Sequence, residues 1–161
     1  MHFGIPQGLM FYDLLPPAAD AAGRTSAYLS LKGAVKAWIV CYINQGNAAT
    51  ILLSPMQALA VAGTSAIACN ASRIWTKLDE ALADFTMQTE GTTYTTDAGT
   101  KRKFVVFEID PNKSLSPNHA TGVYDCVAVS TGASNAANIT SAILVIQPKY
   151  AGATTISPLA D

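Results

Sequence analysis

"KAWIVCYINQGNAATILLSP" runs from Lys36 to Pro55 and decides how the rest of the chain is read. Its first part, "KAWIVCYI", is rich in the β-branched and aromatic residues that strands favour. Side chains alternate across a strand, so Ala37, Ile39, Cys41 and Ile43 share one face, and Trp38, Val40 and Tyr42 share the other. Both faces are apolar, so both are expected to be covered. "NQGN" then supplies turn chemistry, with Gly46 free to take a positive φ. "ATILLS" (Ala49 to Ser54) is expected to return as the second strand of a hairpin, ended or kinked at an edge by Pro55.

Strand patterns recur downstream. "KRKFVVFEID" (Lys101 to Asp110) sets Val105, Phe107 and Ile109 against Phe104, Val106 and Glu108. "VYDCVAVST" and "SAILVIQPKY" follow, separated by "GASNAAN". The last two strands and their connection echo the Lys36–Pro55 unit in texture, over too short a length to be a repeat. Short strands between turn clusters predict an all-β fold, a single-domain β-sandwich or jelly-roll-like barrel over residues 31–150. The period-2 positions predict a core of Ile39, Cys41, Ile43, Val105, Phe107, Ile109, Val127, Val129, Ile143 and Val145.

At most one or two short helices are expected. "MQALAVAGTSAIAC" (Met56 to Cys69) fits a short helix ending at Gly63 or a strand. "SRIWTKLDEALADF" (Ser72 to Phe85) is the best helical stretch, with Ser72 as cap and Ile74, Leu78 and Leu82 four apart.

Residues 1–30 read as an extended N-terminal arm and 151–161 as an extended C-terminal tail. Pro6, Pro16, Pro17, Gly4 and Gly8 disfavour helix and central strand. Phe3, Ile5, Leu9, Met10, Phe11, Leu14 and Leu15 nevertheless want burial, worth about 1.5–3 kcal/mol for each large side chain. The arm is therefore expected to dock on a neighbouring copy or another protein, the alternative being that it wraps its own sandwich.

The 161 residues suit one domain. The net charge of −1 sets up no field that would attract nucleic acid or an anionic membrane. Charged residues make up only 13 %, about half the usual share of roughly 25 %. No charge falls between Lys36 and Arg73, but polar residues and Pro55 break this gap far short of the roughly 20 apolar residues of a membrane span. The N-terminus has no basic start or small-residue cleavage site, so no secretory signal is expected. Three cysteines, Cys41, Cys69 and Cys126, without CxxC spacing argue for buried thiols rather than disulfides or zinc.

Chemistry is sparse. No nucleophile elbow, phosphate loop or dinucleotide fingerprint is present. His2 is terminal and His119 lies in a Pro/Asn loop. "KRK" (Lys101 to Lys103) reads as a solvated strand edge. Asp79, Glu80 and Asp84 read as a solvated acidic face that lacks the spacing of a calcium loop. "NAS" at Asn70 and "NIT" at Asn138 match the glycosylation pattern and are discounted without a secretory signal. Catalytic residues, cofactors and metals are therefore not assigned, and the chain is expected not to be an enzyme.

Taken together, "FGIPQGLMFYD", "PPAADAAGRTS", "INQGNAATILLSP", "KFVVFEIDP", "YDCVAVSTGASNAANITSAILVI" and "PKYA" resemble small structural proteins of tailed bacteriophages. The resemblance covers most of the chain and is clearest in "TGASNAANITSA". It implies a virion protein made in the host bacterial cytoplasm and placed on the capsid surface. There it would act as a decoration (cement) protein on the major capsid protein, as a homo-oligomer, without nucleic acid or membrane partners. A head–tail connector or tail subunit is the alternative. A carbohydrate-binding module using Trp38 or Trp75 as a stacking platform comes third.

Overall fold

The computed structural model describes residues 8–117, 119–149 and 158–159. Among these there is no helix, and two antiparallel sheets pack as a sandwich. The first sheet holds β1 (Met10–Ala19), β12 (Asn138–Pro148), β4 (Ala34–Gln45), β10 (Arg102–Ile109), β7 (Arg73–Lys77) and β8 (Thr86–Met87), in that spatial order. The second is built on β2 (Arg24–Thr25), β11 (Cys126–Thr131), β5 (Leu52–Ala58) and β6 (Ile67–Ala68). β3 (Leu29–Ser30) also pairs with β11, and β9 (Tyr94–Thr95) with β5.

β4 and β10 form as their alternation predicts. Ile39, Cys41, Ile43, Val105, Phe107 and Ile109 are fully buried, as are Val127 and Val129 of β11. β12 differs by one residue. Thr140, Ala142, Leu144 and Ile146 face the core, while Ile143 is 39 % exposed and Val145 is buried on the opposite face of the sheet. The strand is apolar at both parities, so alternation could not choose the inward one.

The expected hairpin at Lys36–Pro55 is replaced by a crossing between sheets. β4 pairs with β10 and β12, whereas β5 pairs with β11, β6 and β9. Pro55 does not end β5. It sits opposite Val129, and its carbonyl accepts from Cys69 N at 3.0 Å. β11 to β12 is a second crossing, and the two crossing loops that echo in sequence lie against each other. Buried Asn138 is the clasp. Its Oδ1 accepts from Asn47 N (2.8 Å), and its Nδ2 donates to Ala49 O (2.8 Å) and Ser134 Oγ (3.0 Å). Burial of Asn138 also removes its glycosylation motif from the folded surface.

Gly46 serves this clasp, and positive φ is found elsewhere, at Gly33 and Gly63. A Cβ on Gly46 would meet the Ala137 carbonyl oxygen at 2.5 Å. Gly46→Ala should therefore lower stability by about 1–3 kcal/mol, the usual range for overpacking. Urea unfolding monitored by circular dichroism checks this, and an unchanged midpoint would contradict the close approach.

Within the arm expected over residues 1–30, which was to dock on a neighbour or else wrap its own sandwich, residues 10–30 are paired into both sheets of the chain. β1 joins β12 as an edge strand, with register shifts at Asp13/Leu15 and Leu15/Ala18. Pro16 and Pro17 fall in the second irregularity, where an absent N–H breaks no ladder bond. Leu14 and Leu15 enter the chain's own core, and Met10 packs against it. Phe11 is 48 % exposed, and Leu9 is half-buried. Phe3 and Ile5 lie outside the described residues, as does most of the 151–161 tail; Pro158 O accepts from Ser30 N at 2.8 Å.

The helical reading of Ser72–Phe85 is corrected as well. Arg73–Lys77 is a strand with Ile74 and Thr76 inward, and Leu82 is 87 % exposed. A four-residue apolar spacing also satisfies every second period of a strand, and the β-branched Ile74 and Thr76 with Trp75 tip the balance. Met56–Cys69 forms β5, a turn with Gly63 at φ 78°, and β6.

Cys41, Cys69 and Cys126 are buried as thiols. Burial pushes the Cys41 and Cys69 thiols up to about 12. Ellman's reagent at pH 8 should therefore label no thiol in the folded protein and all three after unfolding. Rapid native labelling would contradict the core placement.

Candidate functional site

The outward face of the first sheet carries the strongest signal on the molecule. Strand register aligns its side chains into rows that run across the sheet. One row reads Met87, Trp75, Val106, Val40, Ile143, Asp13, crossing all six strands. A second reads Arg73, Glu108, Trp38, Val145, Phe11. A third brings Lys77, Phe104, Tyr42 and Ser141 together. The Phe104 ring lies 4.9 Å from Tyr42 and 6.2 Å from Phe85. Trp38, Val40, Tyr42, Trp75, Phe104 and Val106 are half-buried by one another, and Met87 and Phe85 are 58 % and 49 % exposed. The sequence led one to expect this face to be covered; the 78–85 connection reaches Phe104 at one corner and Val145 is buried, while Trp38, Val40, Trp75 and Val106 stay partly exposed and Ile143 and Met87 exposed.

Charges stand at the two ends of the apolar band and are paired within the chain. At one end Glu108 meets Lys36 and lies 3.8 Å from Arg73, while Glu90 meets Arg73 at 3.6 Å and Lys113 at 2.8 Å. Burial alone would raise the Glu108 carboxyl, but the Lys36 ammonium, the Trp75 N–H and Arg73 hold it below the ordinary carboxylate range. At the other end Arg102 meets Glu80 at 2.8 Å and Lys101 meets Asp79 at 2.5 Å. The Lys101 hydrogen bond holds the Asp79 carboxyl low. Tyr42 Oη donates to Glu80 Oε2 at 3.1 Å. An apolar centre with a neutralised polar rim has the anatomy of a protein–protein contact.

These pairs revise two expectations. Asp79 and Glu80 are neutralised by the basic cluster rather than presenting a free acidic face, while Asp84 is exposed. Lys103 is not on a solvated edge. It is fully buried, and its ammonium donates to Gln45 Oε1 (2.8 Å), Asp97 O (3.0 Å) and Asp97 Oδ1 (2.5 Å). Its inward phase with Val105, Phe107 and Ile109 was the available signal. Also missed were the buried Asp20 and the mostly buried Arg24, paired at 3.3 Å, which tie the end of β1 to β12 through Thr140.

His119 braces its own loop, pairing with Thr121 Oγ1 at 3.0 Å and standing edge-on to Tyr124. Among the described residues no three His, Cys, Asp or Glu side chains gather to hold a metal ion, and no helix is long and apolar enough to cross a membrane.

No family model and no curated protein matches the chain. Among solved structures, the fold is similar to that of the SPBc2 prophage-derived protein YomS. The alignment covers 86 % of this chain and 93 % of that one at 6 % identity, with a TM-score of 0.48.

Proposed function

We propose that the chain is a non-catalytic structural protein of a tailed-phage virion, a decoration (cement) protein that binds the major capsid protein and stabilises the head shell. The observation that carries an assembly role is the aromatic, charge-neutralised face of the first sheet, which the rest of the described chain leaves partly exposed. The sequence resemblance to phage structural proteins narrows that role to the virion. Low charge supports the same reading, because dense packing of many copies then desolvates few ions and brings few like charges together. In this reading the protein is made in the host cytoplasm, takes its place on the capsid surface as a homo-oligomer, and needs no cofactor, nucleic acid or membrane. The apolar N-terminal residues add to the contact through Phe11, which flanks the open face.

Cosedimentation of the purified protein with undecorated capsids tests this proposal. Saturation at a copy number matching the capsid subunits is the expected result. Saturation at a single ring of copies would point instead to a head–tail connector, and no binding to heads or tails would overturn the virion role. The placement of both Trp38 and Trp75 on the open face favours a carbohydrate platform as a second reading. Against it, the polar groups beside the two rings are already engaged: Glu108, opposite Trp38, is paired with Lys36 and accepts from the Trp75 N–H at 3.4 Å, and the rest of the stripe between them is Val106 and Val40.

A further inference from the structure

We propose that the open face of the first sheet is covered by a second copy of this chain, sheet on sheet across a two-fold axis. The inference rests on the assembly reading and names its immediate partner. The stripe Met87, Trp75, Val106, Val40, Ile143, Asp13 crosses the sheet, with Val106 and Val40 on its two central strands. A two-fold axis between those valines lays the apolar part of one stripe, Met87 to Ile143, on that of the other and puts the paired charges toward the edges of the contact.

Three observations select a second copy over another occupant. First, a face that meets itself must not repel itself. Here Lys36, Arg73 and Lys113 meet Glu90 and Glu108, Lys101 and Arg102 meet Asp79 and Glu80, and Lys77 and Asp13 cancel, which leaves a single positive charge over the whole face. A partner of opposite charge would find little field to read, and an anionic surface no basic excess beyond that one charge. Second, the area suffices. Four strands about seven residues deep, with the five residues of β7 and the two of β8, at about 4.8 Å spacing and about 3.3 Å per residue give roughly 550 Å² per copy, or roughly 1,100 Å² for the pair, above the ~1,000 Å² of a specific interface. Third, the half-buried Trp38, Tyr42, Trp75 and Phe104 stand across this face with the exposed Phe11 and Phe85 at its edges, and aromatic side chains are enriched at the buried centres of such contacts.

The protein carries its own reporter. Its two tryptophans, Trp38 and Trp75, both lie on this face, so indole fluorescence reads its hydration alone. Sedimentation equilibrium of the full chain should give twice the 16.8 kDa protomer mass. Dilution should shift the emission to longer wavelength and increase iodide quenching in step with dissociation. Val106→Lys should raise the dissociation constant at least about 100-fold, two buried ammonium groups being brought together at the axis. Met87→Lys and Ile143→Lys, at more exposed ends of the stripe, repeat the test should Val106→Lys perturb folding. Ile67→Lys adds the same charge at an exposed site on the second sheet and should leave the dimer intact. A monomer at all concentrations, with dilution-independent emission, overturns the inference. So does a dimer that survives all three face substitutions. A monomer that still saturates capsids would overturn the second-copy partner while leaving the assembly reading standing; a dimer that ignores capsids would do the reverse.

Discussion

Replacing Asp20 with alanine should destabilise the fold by about 3–5 kcal/mol, the range for breaking one partner out of a buried ion pair. Asp20 is fully buried; its Oδ1 lies 3.3 Å from Arg24 Nη2, and its Oδ2 accepts from Thr140 Oγ1 at 2.5 Å. Arg24 also donates to the carbonyls of Pro16 (3.0 Å), Ala18 (3.0 Å) and Thr140 (2.7 Å). Those carbonyls lie where the register of β1 slips, so the guanidinium replaces ladder bonds that the prolines and the bulges leave out. With Asp20 gone, a mostly buried cation keeps only neutral acceptors, and the Thr140 hydroxyl loses its partner. Asp20→Asn preserves shape and one acceptor and should lose less. Chemical denaturation of the three proteins at neutral pH measures the difference. An Asp20→Ala variant within 1 kcal/mol of the parent, less than a single charged hydrogen bond is worth, would show that the cluster does not hold β1 in place.

The Lys103–Asp97 pair should respond asymmetrically. The Lys103 side chain has no exposure, whereas that of Asp97 is 50 % exposed. Lys103→Met leaves behind a carboxylate that water can reach and fills the core with a side chain of similar length, so a loss of about 1 kcal/mol is expected. Asp97→Ala leaves a buried ammonium with only Gln45 Oε1 and one backbone carbonyl, and should cost about 3 kcal/mol. Equal losses would mean that the lysine finds solvent. The pair also sets an acid limit. Burial acts to raise the Asp97 carboxyl, but the Lys103 hydrogen bond, the Gly99 N–H and the nearby ammonium groups hold it below its ordinary value of 3.8. A depressed carboxyl contributes stability above its unfolded pKa and loses that contribution as pH falls through the folded one. The contribution should therefore be intact at neutral pH and fade below about pH 4. In the Asp97→Ala variant the acid limb of the stability curve should be correspondingly flatter.

The inward parity read for β4 and β10 held, although both strands are apolar on both faces, because Lys36 and Glu108 mark the outer side of each. Alternation failed in β12, where Ile143, Leu144, Val145 and Ile146 satisfy both parities. That ambiguity is itself the trace of the open face, since a strand whose outer side met only water would carry polar residues there. The turn chemistry of "NQGN" was readable, but a tight turn within one sheet and an arch between two use the same residues. Only the partner strand distinguishes them, and it lies far along the chain. Asp20 and Arg24 stand four apart in a Pro/Gly-rich stretch that gave no sign of pairing, because what buries them, Thr140 of β12, lies far along the chain. Lys103 was visible in principle. It shares the inward phase of Val105, and its neighbours Lys101 and Arg102 drew it into a surface cluster to which it does not belong. The aromatic residues of the candidate face could be seen one strand at a time, while their alignment into rows needed the register of all six strands.

β12 lies between β1 and β4, and this placement governs how the protein emerges from the ribosome. β1 is made first, yet its sheet partner comes more than a hundred residues later. β4 gains one neighbour when β10 appears and its second only when β12 does. At ~5–20 residues per second, β4 waits roughly 5–20 s for that second neighbour. The first sheet is thus sealed by its last strand, and a nascent chain stalled before Asn138 would hold β1 with no strand to join and β4 with an open edge. A truncation that removes β12 should therefore yield an aggregation-prone chain rather than a smaller domain.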